Sequence, residues 1–276
     1  MSKGTLFIVS TPIGNLEDIT FRAVRILKEA DVIAAEDTRH TLKLLNHYGI
    51  AKPLISYWGE KEKAKAEEVI RRLIAGHSVA LVSDAGTPGI SDPGGVVIRR
   101  ALEEGIVVVP VPGPSALIAA LTISGFSTQE FLFCGFLPAK HSQRRKFLGE
   151  LSLERRTVVI YESPHRVVES MAEIAEVFGE RRMILAREIT KLYEEVLRGT
   201  AAGVLARLMD STIAGEYVIV IEGRPEGENV NREEDALTEV RSLMRKGLGR
   251  KEAAKRVAEQ YGLSRKELYD RSLEGK

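Results

Sequence analysis

One cysteine, one tryptophan, five histidines and no apolar run near the 18 residues of a membrane span set the first limits on this 276-residue chain. A lone Cys134 permits no internal disulfide and no thiolate cluster, which excludes a disulfide framework and a cysteine-rich zinc site. Inside FLFCGF it reads as a small buried apolar residue. The histidines lack HxH or HExxH spacing, so no metal is expected. Charge of one sign is missing too: 40 lysines and arginines face 39 aspartates and glutamates, a net of +1. A nucleic-acid partner must then be met by a local basic face, because the field of the whole molecule is weak. There is no GxGxxG, no Walker sequence and no glycine-flanked nucleophile, which disfavours NAD, ATP and covalent hydrolysis. MSKGTLFIVST holds one lysine and a short apolar run, so no signal peptide is expected, and a soluble cytoplasmic protein follows.

What the chain does have is alternation. TLFIVS (5–10), DVIAAE (31–36), SVALVS (78–83) and IVVVPV (106–111) read as strands of a parallel sheet buried on both faces. Between them EDITFRAVRILKEA, KEKAKAEEVIRRLIAG and DPGGVVIRRALEEG carry apolar residues at helical spacing. This βαβ grammar predicts an α/β domain over residues 1–115. Strand candidates at 131–136, 156–161, 182–187 and 217–222, with helices at 164–177 and 199–211, predict a second α/β domain over 116–226 with some antiparallel pairing. The polar, breaker-rich RPEGENVNREED then reads as a linker into a small helical unit, 227–276. There RKEAAKRVAEQYG and SRKELYDRSLEG form a helix-turn-helix-like hairpin, with Ser264 and Glu267 as a capping box.

Ligands of open parallel sheets gather beyond the carboxyl ends of the strands. Here those ends read STPIGNLED, EDTRHT, SDAGTPGISDPG, PVPGPSA, YESPHR and REITKLYEE, with AGEYV ahead of the last strand. In the third, Gly86 and Gly89 permit close backbone approach while Pro88 and Pro93 fix its path. Such a loop can line a methionine-like group, and Asp84 and Asp92 could set negative charge near its sulfonium. Asp92–Pro93 reads equally as a helix cap with proline at the first helical position. Arg39 suits an RNA phosphate or an ion pair with Glu36 or Asp37. Glu162, His165 and Arg166 cluster in YESPHR, where Ser163–Pro164 reads as a cap and first turn, and Lys191 is a candidate phosphate contact beside Arg187 and Glu188.

In this order and at these spacings, TPIGNLEDIT, AEDTR, SDAGTPGISDPG, PVPGPSA, FCGFLP, YESPHR and GEYVIVIEG closely resemble the ribosomal RNA small subunit methyltransferase I group of the tetrapyrrole methylase superfamily. The likeness covers essentially the whole chain. It implies two α/β domains clasping S-adenosylmethionine in a cleft and a small C-terminal helical domain. The implied reaction is methyl transfer to the 2′-hydroxyl of the cytidine at position 1402 of 16S rRNA in the small ribosomal subunit. A homodimer is implied as well, with neither membrane nor DNA as partner. By position, Pro12 matches the first cofactor loop. Asp84 matches the aspartate of a loop written GGDP elsewhere in the superfamily, with Ser83 and Ala85 departing from that pattern. Thr87, Ser115, Ala116, Glu162, Ala186 and Gly215 fall at further cofactor contacts. For the reaction itself, Asp37, Arg39, Glu188 and Lys191 are the catalytic candidates, with Asp37, Glu188 and Lys191 the candidate bases, and Arg39, Arg166 and Lys191 are assigned to RNA. Arg250, Lys251, Lys255, Arg256, Arg265 and Lys266 would dock RNA from the helical unit. The rival readings are a small-acceptor methyltransferase of the same superfamily and a non-catalytic RNA-binding assembly factor.

Overall fold

The computed structural model describes residues 2–57, 62–225, 232–245 and 247–273. Strands β1 (Thr5–Val9), β2 (Val32–Ala35), β3 (Leu54–Ser56), β4 (Val79–Val82) and β5 (Val107–Val111) form an all-parallel sheet in the order β3-β2-β4-β1-β5. β2 and β4 are buried at every position because helices cover both faces. On one side α1 (Phe21–Glu29) and α2 (Thr38–His47) set Ile26, Leu27 and Leu45 against Ile33, Ala80 and Val82. On the other, α3 (Glu62–Ile74) and α4 (Gly95–Glu103) bring Val69, Leu73 and Val97 onto Leu6, Val79 and Leu81. Each fully buried Leu or Ile contributes about 1.5–3 kcal/mol of burial energy.

The second sheet follows the order β6-β7-β10-β8-β9, from β6 (Phe131–Phe136), β7 (Thr157–Glu162), β8 (Arg182–Arg187), β9 (Glu195–Thr200) and β10 (Tyr217–Ile221). β6 and β7 run parallel and the other pairs antiparallel, so the sheet is mixed. α6 (His141–Leu151), α7 (Val167–Phe178) and α8 (Ala201–Met209) cover one face. The other face receives α5 (Ala116–Ser124) through Leu117, Ala120 and Leu121, together with Ile13 from the loop after β1. That loop therefore joins the first sheet to the core of the second. The C-terminal unit, α9 (Arg232–Arg245), α10 (Arg250–Tyr261) and α11 (Arg265–Arg271), has its own core around Ala236, Val240, Val257 and Leu268. Gly262 closes α10 in the left-handed conformation, and Ser264 caps α11 by accepting from the Glu267 amide.

Several local expectations are corrected. α4 begins at Gly95 behind Gly94, with no side-chain cap, so Asp92–Pro93 do not start it. Glu17 and Asp18 lie on a separate 3-10 turn, and Thr20 caps α1 instead. α7 starts at Val167, after a turn in which the Arg166 amide donates to the Ser163 carbonyl at 3.1 Å. α2, β3, α6 and β9 occupy stretches for which the sequence reading gives no element. Among the described residues no helix is long and apolar enough to cross a membrane, and no group of acid, histidine and cysteine side chains could hold a metal ion.

Candidate active site

The carboxyl ends of β1, β2, β4 and β5 face the ends of β7 and β8 across a cleft. Its floor is two loops zipped together. The Thr11 amide donates to the Gly86 carbonyl at 2.8 Å and the Gly86 amide returns to the Thr11 carbonyl at 3.0 Å. Thr11 Oγ1 donates to the Ser83 carbonyl at 3.1 Å, and the Ser10 and Thr87 hydroxyls meet at 2.8 Å. Gly86 carries a φ of +77°, the left-handed region that a side chain strains, which is why the exchange needs glycine there.

A cavity of about 450 Å³ opens on this floor. One wall is apolar, from Ile13, Ala85, Ala116, Ile189 and Val218, with the rings of Phe136 and Tyr161 edge to face. The other is acidic, with Glu36, Asp84, Asp92, Glu162 and Glu216, and among the described residues no lysine, arginine or histidine lines it. Burial, then the negative charge of Glu36, pushes the Asp92 carboxyl up to about 6. Burial raises Glu36 as well. Carboxyls held in this way gain from a cation set among them.

A second cavity of about 570 Å³ shares Ile13, Asp84, Ala85 and Glu216 with the first. Its walls differ in kind. They include Pro12, Gly14 and Leu16 from the first loop, His40 and Lys43 from α2, and Lys191. Asp37 heads α2: its carboxylate accepts from the Arg39 amide at 2.8 Å and from the Arg39 guanidinium at 2.8 and 3.1 Å. Those bonds pull the Asp37 carboxyl down to about 2. Lys191 Nζ lies 2.7 Å from Glu188 and 3.1 Å from Glu216. Its pKa is raised, burial being outweighed by those carboxylates, and that of Glu188 is lowered, burial again being outweighed.

The structure thus gathers Pro12, Asp84, Thr87, Ser115, Ala116 and Glu162 around the two cavities. Glu162 is fully engaged beneath, accepting from the Ser163 amide, from Arg166 and from the Ser170 hydroxyl. Three placements differ from the expected ones. Ala186 is wholly buried in the core opposite Val218 and reaches neither cavity. Gly215 lines neither; a Cβ there would overlap the Glu188 carboxyl, and its successors Glu216, Tyr217 and Val218 form the wall. The Arg166 guanidinium is turned onto Glu162 and the Leu137 carbonyl rather than free in solvent. Asp37, Glu188 and Lys191 are each held in an ion pair, which stabilises their charged forms. Arg39 is the exposed member at the rim, its side chain 88% exposed. Lys251, Lys255, Arg256, Arg265 and Lys266 are exposed and Arg250 half-exposed on the C-terminal unit, lining neither cavity. Glu36, Glu216, His40 and Lys43 also line the cavities, although the sequence gives none of them a site role: Glu36 and His40 lie within EDTRHT, Glu216 within AGEYV, and Lys43 two residues beyond EDTRHT in the first turns of α2.

Residues 5–205 match the family model of the Tetrapyrrole (Corrin/Porphyrin) Methylases. Solved structures agree in fold. A cobalamin biosynthetic enzyme, cobalt precorrin-4 methyltransferase, superimposes with a TM-score of 0.60 at 18% identity, over 79% of this chain and 94% of that one. The uroporphyrin-III C-methyl transferase of Thermus thermophilus complexed with S-adenyl homocysteine gives 0.56 at 22% identity, over 79% and 97%. The class is therefore a methylase of two α/β domains with a cleft between them. Residues 231–276 match the RsmI C-terminal HTH domain. Proteins named ribosomal RNA small subunit methyltransferase I from Halalkalibacterium halodurans and from Synechocystis are each 46% identical, over 97% and 98% of this chain and 94% and 98% of theirs. That of Bacillus subtilis is 42% identical over 97% of this chain and 93% of its own length. The chain belongs to the ribosomal RNA small subunit methyltransferase I family, and it is an enzyme.

Proposed function

We propose that this chain transfers the methyl group of S-adenosylmethionine to the 2′-hydroxyl of cytidine 1402 in the 16S rRNA of the small ribosomal subunit. The observation that carries the reading is the pairing of a cation-free, acid-walled cavity with a second cavity edged by His40, Lys43 and Lys191. The first fits the donor. It has the volume of a small-molecule site, an apolar panel for a nucleoside, carboxylates for a sulfonium and an ammonium, and no cationic cradle for a pyrophosphate. The cationic edge of the second suits a ribose-phosphate chain.

Once bound, S-adenosylmethionine supplies a methyl group on a good leaving group, so the protein has chiefly to align and desolvate the acceptor oxygen. The zipped loops of Thr11 and Gly86 hold Asp84 and Thr87 against the donor and Pro12 on the adjoining second cavity, and Ser115 and Ala116 close the donor's other side. Asp84 stands on the wall common to both cavities. Its Oδ1 accepts the Asp37 amide at 3.0 Å, and among the described residues no donor reaches Oδ2. We place proton acceptance from the ribose hydroxyl there. Arg39 holds RNA phosphate at the rim, and Arg250, Lys251, Lys255, Arg256, Arg265 and Lys266 dock the folded RNA from a distance.

Three units divide this labour: residues 1–115 and 116–226 form the cleft and 227–276 the docking arm. The working form we propose is a cytoplasmic homodimer. α5 supports this, being largely apolar on both sides: Leu117, Ala120 and Leu121 pack on the second sheet while Ile118 and Ile123 stand exposed, as does Val107 of the edge strand β5. The function is tested by incubating unmodified small subunits with labelled S-adenosylmethionine and mapping the methylated nucleoside.

A further inference from the structure

The turn between β8 and β9, residues 188–194, is built at some conformational cost. Glu188 and Thr190 both adopt positive φ, 50° and 70°, although neither is glycine. Such backbone persists only where its surroundings over-determine it, and here they do. The Glu188 amide donates to the Glu216 carbonyl at 3.1 Å, and the Glu216 amide returns to Glu188 Oε1 at 3.1 Å. Lys191 Nζ ties Glu188 to Glu216, and the Thr190 amide donates to Glu194 at 2.6 Å. From the far side Gly14 admits the Lys191 stem, because a Cβ there would collide with it.

This rigid turn points Ile189 into the first cavity and Lys191 into the second. Its next two side chains face solvent: Leu192 is 89% exposed and Tyr193 71% exposed. Two consecutive large apolar residues held out at the lip of a site are a binding surface rather than a stray. The cations on the edge of the second cavity next to this turn, Lys191 and Lys43, favour a polyanion over an apolar protein face. An exposed aromatic ring carried on an ordered turn beside a cationic edge is the arrangement on which unpaired bases stack.

We propose that Leu192 and Tyr193 form a preformed platform on which an unpaired nucleobase flanking the acceptor ribose stacks. The inference deepens the RNA-methylation reading and rests on it. It makes the turn a specificity element, selecting an acceptor whose neighbouring base is free of a duplex.

The test uses full-length protein, unmodified small subunits and labelled S-adenosylmethionine. Tyr193→Ala should raise KM for the subunit on the order of tenfold, with cofactor affinity and Tm at wild-type values. Tyr193→Phe should restore the wild-type KM, since stacking needs the ring and not the hydroxyl. Met209→Ala, a change at an exposed apolar residue lining neither cavity, should match wild type. The proposal falls if Tyr193→Ala leaves KM unchanged, or if Tyr193→Phe is as impaired as alanine. It also falls if Leu192→Ala/Tyr193→Ala alters the oligomeric state, which would make the turn a contact with a second copy. Wild-type protein that binds the cofactor but leaves subunits unmethylated would overturn the underlying reading, and this one with it.

Discussion

Asp84 and Glu36 are locked end to end: the amide of Asp84 donates to Glu36 Oε2 at 3.3 Å, while Asp84 Oδ1 takes the amide of Asp37 at 3.0 Å. The tips of two neighbouring parallel strands thus exchange backbone donors for side-chain acceptors, and two carboxylates that repel each other are kept side by side. Asp84→Asn should keep the Asp37 contact, because the amide oxygen still accepts, while removing the negative charge. We expect weaker S-adenosylmethionine binding by calorimetry, and a single-turnover methylation rate lowered about 10²-fold or more at saturating cofactor. An unchanged rate would take the proton-acceptor role away from Asp84.

Cofactor affinity should depend on pH through Asp92. Its carboxyl titrates near 6 in the folded protein, and a cation among the acids favours the ionised form. Affinity is therefore full above about pH 7 and falls as pH drops through 6, by up to about tenfold per unit. Calorimetry from roughly pH 5 to roughly pH 8 checks this, and Asp92→Asn should flatten the profile.

The same residue should cost stability. Its folded pKa lies above the 3.8 of an unperturbed aspartate, so the native state holds the proton more tightly. Stability due to Asp92 is present below 3.8 and is lost as pH rises through 6. Allowing for solvent screening of a half-exposed group, Asp92→Asn should stabilise the cofactor-free protein by roughly 1 kcal/mol at neutral pH. Denaturant unfolding at two pH values reads this directly; equal gains below pH ~4 and at pH ~7 would contradict it.

Arg39 and Asp37 should separate RNA binding from chemistry. Arg39→Ala leaves the cofactor cavities untouched and should reduce the slope of log affinity against log salt for the subunit by about 1. Asp37→Asn should leave the single-turnover rate within about threefold of wild type, because a carboxyl near 2 paired with arginine is a poor base.

Arg144 is the largest wholly buried side chain and sits between Glu173 and Glu169, joining α6 to α7. Arg144→Ala would leave Glu173 buried without its partner. A loss of about 3–5 kcal/mol in unfolding free energy is expected, with cofactor affinity of the folded fraction unchanged.

Much of this architecture is legible in the amino-acid sequence. Continuous apolar runs such as VIAA and VALV announce strands covered on both faces, and the glycine–proline loops after them mark the ligand edge. Other features depend on contacts distant in sequence. β3 is three residues long and only partly buried, so it carries no periodic signal. Ala186 lies in the correct strand and on the same face as its cross-strand partner Val218, which lines the cavity, but the packing around it covers it completely, which no local pattern announces. Arg166 looks like a phosphate ligand, yet Glu162, four residues earlier, lies buried beneath it and holds it. The acid wall is half visible: Asp84 and Asp92 lie together in one loop, whereas Glu36 and Glu216 join them from other strand ends. The positive-φ turn at Glu188 and Thr190 has no glycine to announce it.

The most direct test is nucleoside mapping after incubation of the full-length protein with unmodified small ribosomal subunits and methyl-labelled S-adenosylmethionine. The account predicts one labelled 2′-O-methylcytidine, at position 1402 of the 16S rRNA. Label on a base carbon or nitrogen, on another nucleotide, or nowhere in the RNA despite bound cofactor would contradict it.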